Sequence, residues 1–181
     1  MTSQLLISSG SADDHWTDPM TGGQSSTPAA PQAASRDGRR AGLTALIRIA
    51  LAVLFLDELV VGFWNQAFPE SFYNNFPTVT LTPPFSEHYA RDFGGATLGL
   101  AVVLGIALVV PRAAFTIPAA AAFSTFAIPH FFFHLAHLDH ASPGEAVFLT
   151  TANAVVALLG LLVIALTLLR DARHRRRPPV R

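Results

Sequence analysis

The stretch EAVFLTTANAVVALLGLLVIALTLL, residues 145–169, decides the fold. It carries no charged residue after Glu145 and is apolar on nearly all sides of a helix. A surface helix of a soluble protein would carry a polar stripe, whereas a helix that is apolar all round lies in a large core or a membrane. Because a bilayer core of about 30 Å needs about 20 apolar helical residues, this stretch predicts a membrane-spanning helix.

Three similar stretches precede it. They are LTALIRIALAVLFLDELVVGFW (43–64), DFGGATLGLAVVLGIALVV (92–110) and AAFTIPAAAAFSTFAIPHFFFHLAH (113–137). Helix N-cap signatures stand before two of the four stretches, at Ser86 with Glu87 and at Ser142 with Glu145. The sequence therefore predicts an all-α fold, a four-helix transmembrane bundle over residues 41–170, followed by a short basic cytoplasmic tail at 171–181.

The first 40 residues have a different composition, rich in Ser, Thr, Pro, Ala, Gly and Gln. Such a segment buries too little apolar surface to fold, so it predicts a disordered cytoplasmic tail. It lacks the basic start and apolar core of a secretory signal. The chain has no cysteine, which excludes disulfides and thiolate chemistry, and it has no G-x-S-x-G elbow or other catalytic motif.

Arginine placement predicts the orientation, because the chain contains no lysine. Ten arginines flank the spans on one side, Arg91 lies on the other side, and Arg48 lies inside the first span. The positive-inside rule then places both termini in the cytoplasm and predicts a multi-pass protein of the cytoplasmic (cell) membrane. The C-terminal run RDARHRRRPPVR is short and lacks interleaved aromatics, so it favours contact with the lipid bilayer and no nucleic acid.

Two acids lie inside the first predicted span, Asp57 and Glu58. Charged groups in a bilayer are costly, so they face the bundle interior and find partners. Arg91 is expected to turn inward to one of them, because a buried acid needs a cation or a proton. In the alternative arrangement, Arg91 pairs with Glu87, and His88 pairs with Asp92, each four residues apart on a helix.

Histidines mark the end of the third predicted span in IPHFFFHLAHLDH, residues 128–140. His130, His134 and His137 share one side of a helix. The candidate ligand or metal cluster comprises these three histidines with Asp57, Glu58, Glu87 and His88. Three interpretations stay open: a metal ion held by N and O ligands, a haem or quinone in an outer-leaflet pocket, or a structural cluster without chemistry.

Small and aromatic residues predict packing features. Gly95 and Gly99 form a GxxxG pattern, which predicts close helix packing within the bundle, with a homodimer interface as the alternative. The loop 65–86 contains Phe68, Phe72, Tyr73, Phe76 and Phe85. Aromatic residues favour the headgroup region, so this loop is expected to lie over the outer surface as a lid.

The strings SEHYARDFGG (86–95) and IPHFFFHLAHLD (128–139) resemble a set of uncharacterised actinobacterial four-span integral membrane proteins. The likeness covers about residues 43–169, and Ser86 stands where those proteins have Asn. The motif positions carried over are Glu87, His88, Arg91, Asp92, Gly94, His130, His134 and His137. The layout is more loosely similar to the DoxX-like family of small four-helix membrane proteins, some of which are associated with quinone-linked redox systems.

These patterns lead to one main functional hypothesis. We expect a redox-accessory protein of the membrane that binds a ligand, metal or quinone. We expect it either to form a homo-oligomer or to interact with a membrane redox partner. The alternative is a structural or partner-binding subunit without chemistry. A transporter ranks third, because four spans are few for a transport path.

Overall fold

The computed structural model describes residues 30–81 and 84–175, with the side chains of residues 38–81 and 84–173. The helices are α1 (Ala30–Ala67), α2 (Pro69–Asn75), α3 (Glu87–Val109), α4 (Ala113–Ala136) and α5 (Pro143–Arg175), with one 3-10 turn at Val79–Leu81. No strand occurs within these ranges, so the all-α prediction is confirmed for the part of the chain described.

Both predicted helix caps are confirmed. The Oγ of Ser86 accepts a hydrogen bond from the Tyr89 backbone N–H at 3.5 Å, at the start of α3. At the start of α5, the Ser142 N–H donates to Oε2 of Glu145 at 2.8 Å, and the Glu145 N–H donates to the Ser142 Oγ at 3.4 Å. This reciprocal pair is a capping box, and it satisfies two backbone donors that have no partner inside the helix.

The first helix begins earlier than the apolar run predicts. Residues 30–40 are helical, so a disordered tail is not confirmed for them. Their alanine, glutamine and arginine residues favour a helix, and Pro31 stands in the first turn, where its missing N–H breaks no bond. The rest of the predicted N-terminal tail, 1–29, and residues 176–181 of the basic tail lie outside the described residues.

The long helices present apolar side chains outward. Ile49, Val102, Val109 and Leu158 are each more than half exposed. Among the described helices, α3, α4 and α5 are long and apolar enough to cross a membrane. Because soluble proteins rarely expose apolar surface on this scale, the protein is membrane-embedded.

The four long helices form a ring in which each packs against two neighbours. α1 and α4 each contact α3 and α5, and no Cα pair within 8 Å joins α1 to α4 or α3 to α5 in the described ranges. α1 and α4 therefore stand at opposite corners of the ring. A tight apolar core fills part of its centre and includes Ile47, Leu51, Leu54, Leu104, Phe123 and Val163.

The close approach of α1 and α3 occurs at Gly62 and Gly94. A Cβ atom on Gly94 would lie 2.6 Å from the Gln66 backbone nitrogen and 2.9 Å from the Gly62 carbonyl oxygen. A Cβ on Gly95 would meet only Oε1 of Gln66 at 3.6 Å, and one on Gly99 would meet nothing within 4 Å. The close contact falls on Gly94, whereas Gly95 and Gly99 are exposed, so the prediction that these two glycines pack the bundle is wrong. Neighbouring residues of a helix point in directions about 100° apart, so a shift of one residue moves the contact to another side of α3.

Candidate functional site

A cavity of about 750 Å³ lies between the four long helices, and α2 also contributes to its wall. Its size falls within the range of about 300–1,000 Å³ found for small-molecule pockets. The wall is mostly apolar, and its ring-bearing side chains include Phe72, Tyr73, Phe76, Phe93, Phe126, Phe133 and Phe148. The polar side chains on the wall include Asp57, Glu58, Asn65, His130, His134 and Asn153.

Glu58 occupies the buried side of α1 at the cavity wall. It shares this side with Leu54 and Asn65, four residues before it and seven residues after it. Its side chain is 2% exposed, and its Oε2 atom has no hydrogen-bond partner among the described residues. Burying an unpaired carboxyl is costly, so this atom is the strongest sign that the cavity takes a ligand.

Asp57 lies at the edge of the same cavity. It precedes Glu58 and is therefore turned about 100° round α1. It lines the cavity but is exposed, unlike Glu58. The two acids therefore differ in role, one within the bundle and one at the cavity's margin.

The structure places two of the three predicted histidines at the cavity and the third outside it. His130 and His134 line the cavity, with ring centroids 4.5 Å apart, and His130 also stacks on Phe126 at 5.0 Å. Nδ1 of His134 is buried without a hydrogen-bond partner among the described residues. His137 follows the last residue of α4, is exposed, and lies outside the cavity, where its ring stacks on Phe133 at 4.2 Å.

Arg91 does not reach the acids of α1, so that prediction is wrong. Its Nη2 lies 2.8 Å from Oε1 of Glu87, and its Nη1 donates to the backbone carbonyl of Gln66. The last carbonyls of a helix lack partners within it, and Arg91 satisfies one of them at the end of α1. The alternative arrangement is the one found, because Nε2 of His88 also lies 3.3 Å from Oδ2 of Asp92.

This pairing leaves Glu87, His88 and Asp92 on the surface of α3, outside the cavity wall. Within residues 30–81 and 84–175, no group of three or more His, Asp or Glu side chains is placed to hold a metal ion. The acids of α1 and the imidazoles of α4 cannot gather into such a group, because these two helices stand at opposite corners of the helix bundle. The haem and quinone interpretations stay predictions.

The aromatic wall residues of the long helices are the part of the site that sequence reasoning missed. Phe72, Tyr73, Phe76 and Phe85 of the outer loop were expected to form a lid, and they do line the cavity. Phe126 precedes His130 by four residues, so it shares the histidine side of α4, and this spacing could have identified it. Phe72 and Phe76 of the outer loop stack at 4.7 Å, and Trp64 contacts both rings edge-on. Which of the loop's rings reach the cavity wall depends on how α2 folds back over the bundle.

No protein-family model, curated protein or solved structure matches this chain, so the chemistry of the cavity rests on the chain's own residues.

Proposed function

We propose that this protein binds a small, largely apolar molecule that carries a polar group, inside the membrane and within the cavity lined by Glu58, His130 and His134. A mostly apolar wall with a few convergent polar groups is the usual composition of a small-molecule site. The single observation that carries the proposal is the unpartnered Oε2 of Glu58, a side chain 2% exposed on that wall. Quinones, with an apolar tail and polar oxygens, are among the molecules of this description.

We further propose that α1 is a fourth span and that both termini lie in the cytoplasm, with the protein in the cell membrane. Support comes from α1 completing the ring of long helices. Arginines lie in the first part of α1, between α3 and α4, and at the end of α5, and they include Arg39, Arg40, Arg112 and Arg173. Glu70, Asp139 and Glu145 lie near the other helix ends. This asymmetry follows the positive-inside rule.

A redox-accessory role, with a homo-oligomer or a membrane redox partner, extends this proposal. It rests on the sequence resemblance to DoxX-like proteins. The cavity supports the binding step, which is therefore the step to test first.

The test is recovery of a bound compound from the full-length protein. The protein is purified in mild detergent and extracted with organic solvent, and the extract is analysed by mass spectrometry. We expect an apolar compound from the wild type and several-fold less from Ala152→Phe, because Ala152 lines the cavity and a larger side chain would fill it.

The matched control is Ala165→Phe, an exposed alanine of α5 outside the cavity wall. This variant should retain the compound. Equal recovery from both variants, or no compound from the wild type, would contradict the binding function and favour a structural subunit.

A further inference from the structure

The cavity wall contains acids and aromatic rings but no arginine side chain among the described residues. The chain has no lysine, and Arg91 is committed to Glu87 and the Gln66 carbonyl. Glu58 therefore has no arginine or lysine partner in the part of the chain that the structure describes. A buried acid needs either such a cationic partner or a proton, because the desolvation of its charged form is otherwise uncompensated.

The histidines do not supply that partner. His130 and His134 belong to α4, which stands diagonally across the ring from α1. Their rings contact each other and Phe126, and no hydrogen bond or ion pair joins either to Glu58. Glu58 and the two imidazoles line the same cavity without contacting each other.

The aromatic side chains of the cavity wall also favour a cationic ligand. Phe72, Phe76, Phe93 and Phe126 line the cavity with Glu58. Aromatic faces attract cations, and the attraction grows where water is excluded. Aromatic groups around a carboxylate form the combination by which proteins recognise ammonium ligands. Asp57, at the margin of the same cavity, adds a second negative group.

We propose that the ligand of this cavity is a lipophilic onium cation, such as a substituted ammonium, whose charge pairs with Glu58 and whose apolar substituents contact the aromatic wall. This inference rests on the proposed binding function and narrows its ligand from any apolar molecule to a positively charged one. Glu58 is the charge-selecting residue, and the aromatic side chains select for apolar substituents.

Three probes of similar bulk and different charge test this proposal. They are tetraphenylphosphonium, the anion tetraphenylborate and neutral triphenylphosphine oxide, each measured by equilibrium dialysis against the full-length protein in detergent. We expect saturable binding of the cation alone. Glu58→Gln should weaken it by about tenfold or more, because truncating a buried charge pair costs more than one decade of affinity.

Glu70→Gln is the matched control, since it removes the same charge from an exposed residue of α2 outside the cavity wall. It should leave cation binding unchanged. Size-exclusion elution and circular dichroism report the folding of each variant. Should Glu58→Gln fail to fold, the comparison of the three probes on the wild type decides the proposal alone.

The cation proposal fails if the neutral or anionic probe binds as tightly as the cation, or if a folded Glu58→Gln binds the cation unchanged. In both cases the cavity still binds small molecules, so the proposed function stands. If none of the probes binds, the cation proposal also fails. The solvent extract of the wild type then decides the binding function separately.

Discussion

Glu58 and Asp57 show how one residue position on a helix separates two similar side chains. Both are acids in an apolar run, and the sequence predicts both as members of one cluster. The buried stripe of α1 includes Leu54, Glu58 and Asn65, and it leaves Asp57 exposed. Which acid faces inward follows from the position of α3, whose Gly94 holds Gly62 of α1 in contact.

Gly94 provides a prediction at this scale. Gly94→Ala should lower the stability of the purified protein by about 1–3 kcal/mol, the usual cost of overpacking, because the new Cβ would lie 2.6 Å from the Gln66 nitrogen. Thermal unfolding in detergent measures the effect. Gly99→Ala is the control and should be neutral or stabilising by up to about 1 kcal/mol, since nothing lies within 4 Å of its added Cβ. Similar losses in both variants would contradict the packing described.

At the scale of elements, a hydrogen bond from Arg170 joins the end of α5 to the turn between α3 and α4. Arg170 is 7% exposed, its Nη1 donates to the carbonyl of Pro111 at 2.7 Å, and its Nε donates to Oδ1 of Asp171 at 2.8 Å. The buried guanidinium thereby joins three helices at the end of the bundle away from the cavity. Arg170, one of the arginines of the C-terminal basic cluster, therefore has a structural role in the bundle.

Removing this guanidinium should weaken the bundle. Arg170→Gln is expected to lower the free energy of unfolding by about 2 kcal/mol, because the hydrogen bonds of a buried charged donor are worth about 1.5–3 kcal/mol. Chemical denaturation in mixed micelles measures the loss. Arg173→Gln, an exposed arginine one turn later, should change stability little. If the exposed arginine matters as much as the buried one, net charge rather than the Pro111 contact sets the stability.

Helix positions are more predictable from this sequence than helix rotations. The apolar runs and the caps at Ser86 and Ser142 locate the starts of α3 and α5 to within a few residues, because those signals are local. The predicted packing glycines and the inward turn of Arg91 are wrong for different reasons. The glycines depend on which side of α3 faces α1, and an error of one residue changes that side by about 100°. Arg91 does face α1, but it contacts Gln66 near the end of that helix, about two turns beyond Glu58.

The candidate site, like the fold, was predictable from the sequence only in part. Polar residues in apolar spans identified Glu58, His130 and His134, since their cost in a bilayer is a property of each residue alone. The exclusion of His137 was not predictable, because it depends on where α4 ends. Of the aromatic wall, Phe126 could have been identified from its spacing to His130, whereas the exact contribution of the loop depends on how α2 folds over the bundle.

At the scale of the whole molecule, the absence of cysteine makes the topology directly measurable. Single-cysteine variants are labelled in intact cells with a maleimide that does not cross membranes. We expect Asp139→Cys to be labelled at once, and Ala41→Cys and Arg112→Cys only after permeabilisation. Labelling of both Ala41→Cys and Asp139→Cys in intact cells would mean that α1 does not span the bilayer.

The ring of helices also has a consequence for assembly. Its two most extensive contacts join α1 with α3 and α4 with α5, helices that follow one another among the long ones. The chain thus consists of two hairpins, each of which can form as soon as its second helix has left the ribosome. The cavity is lined by residues of both hairpins, so it forms only when the two hairpins dock.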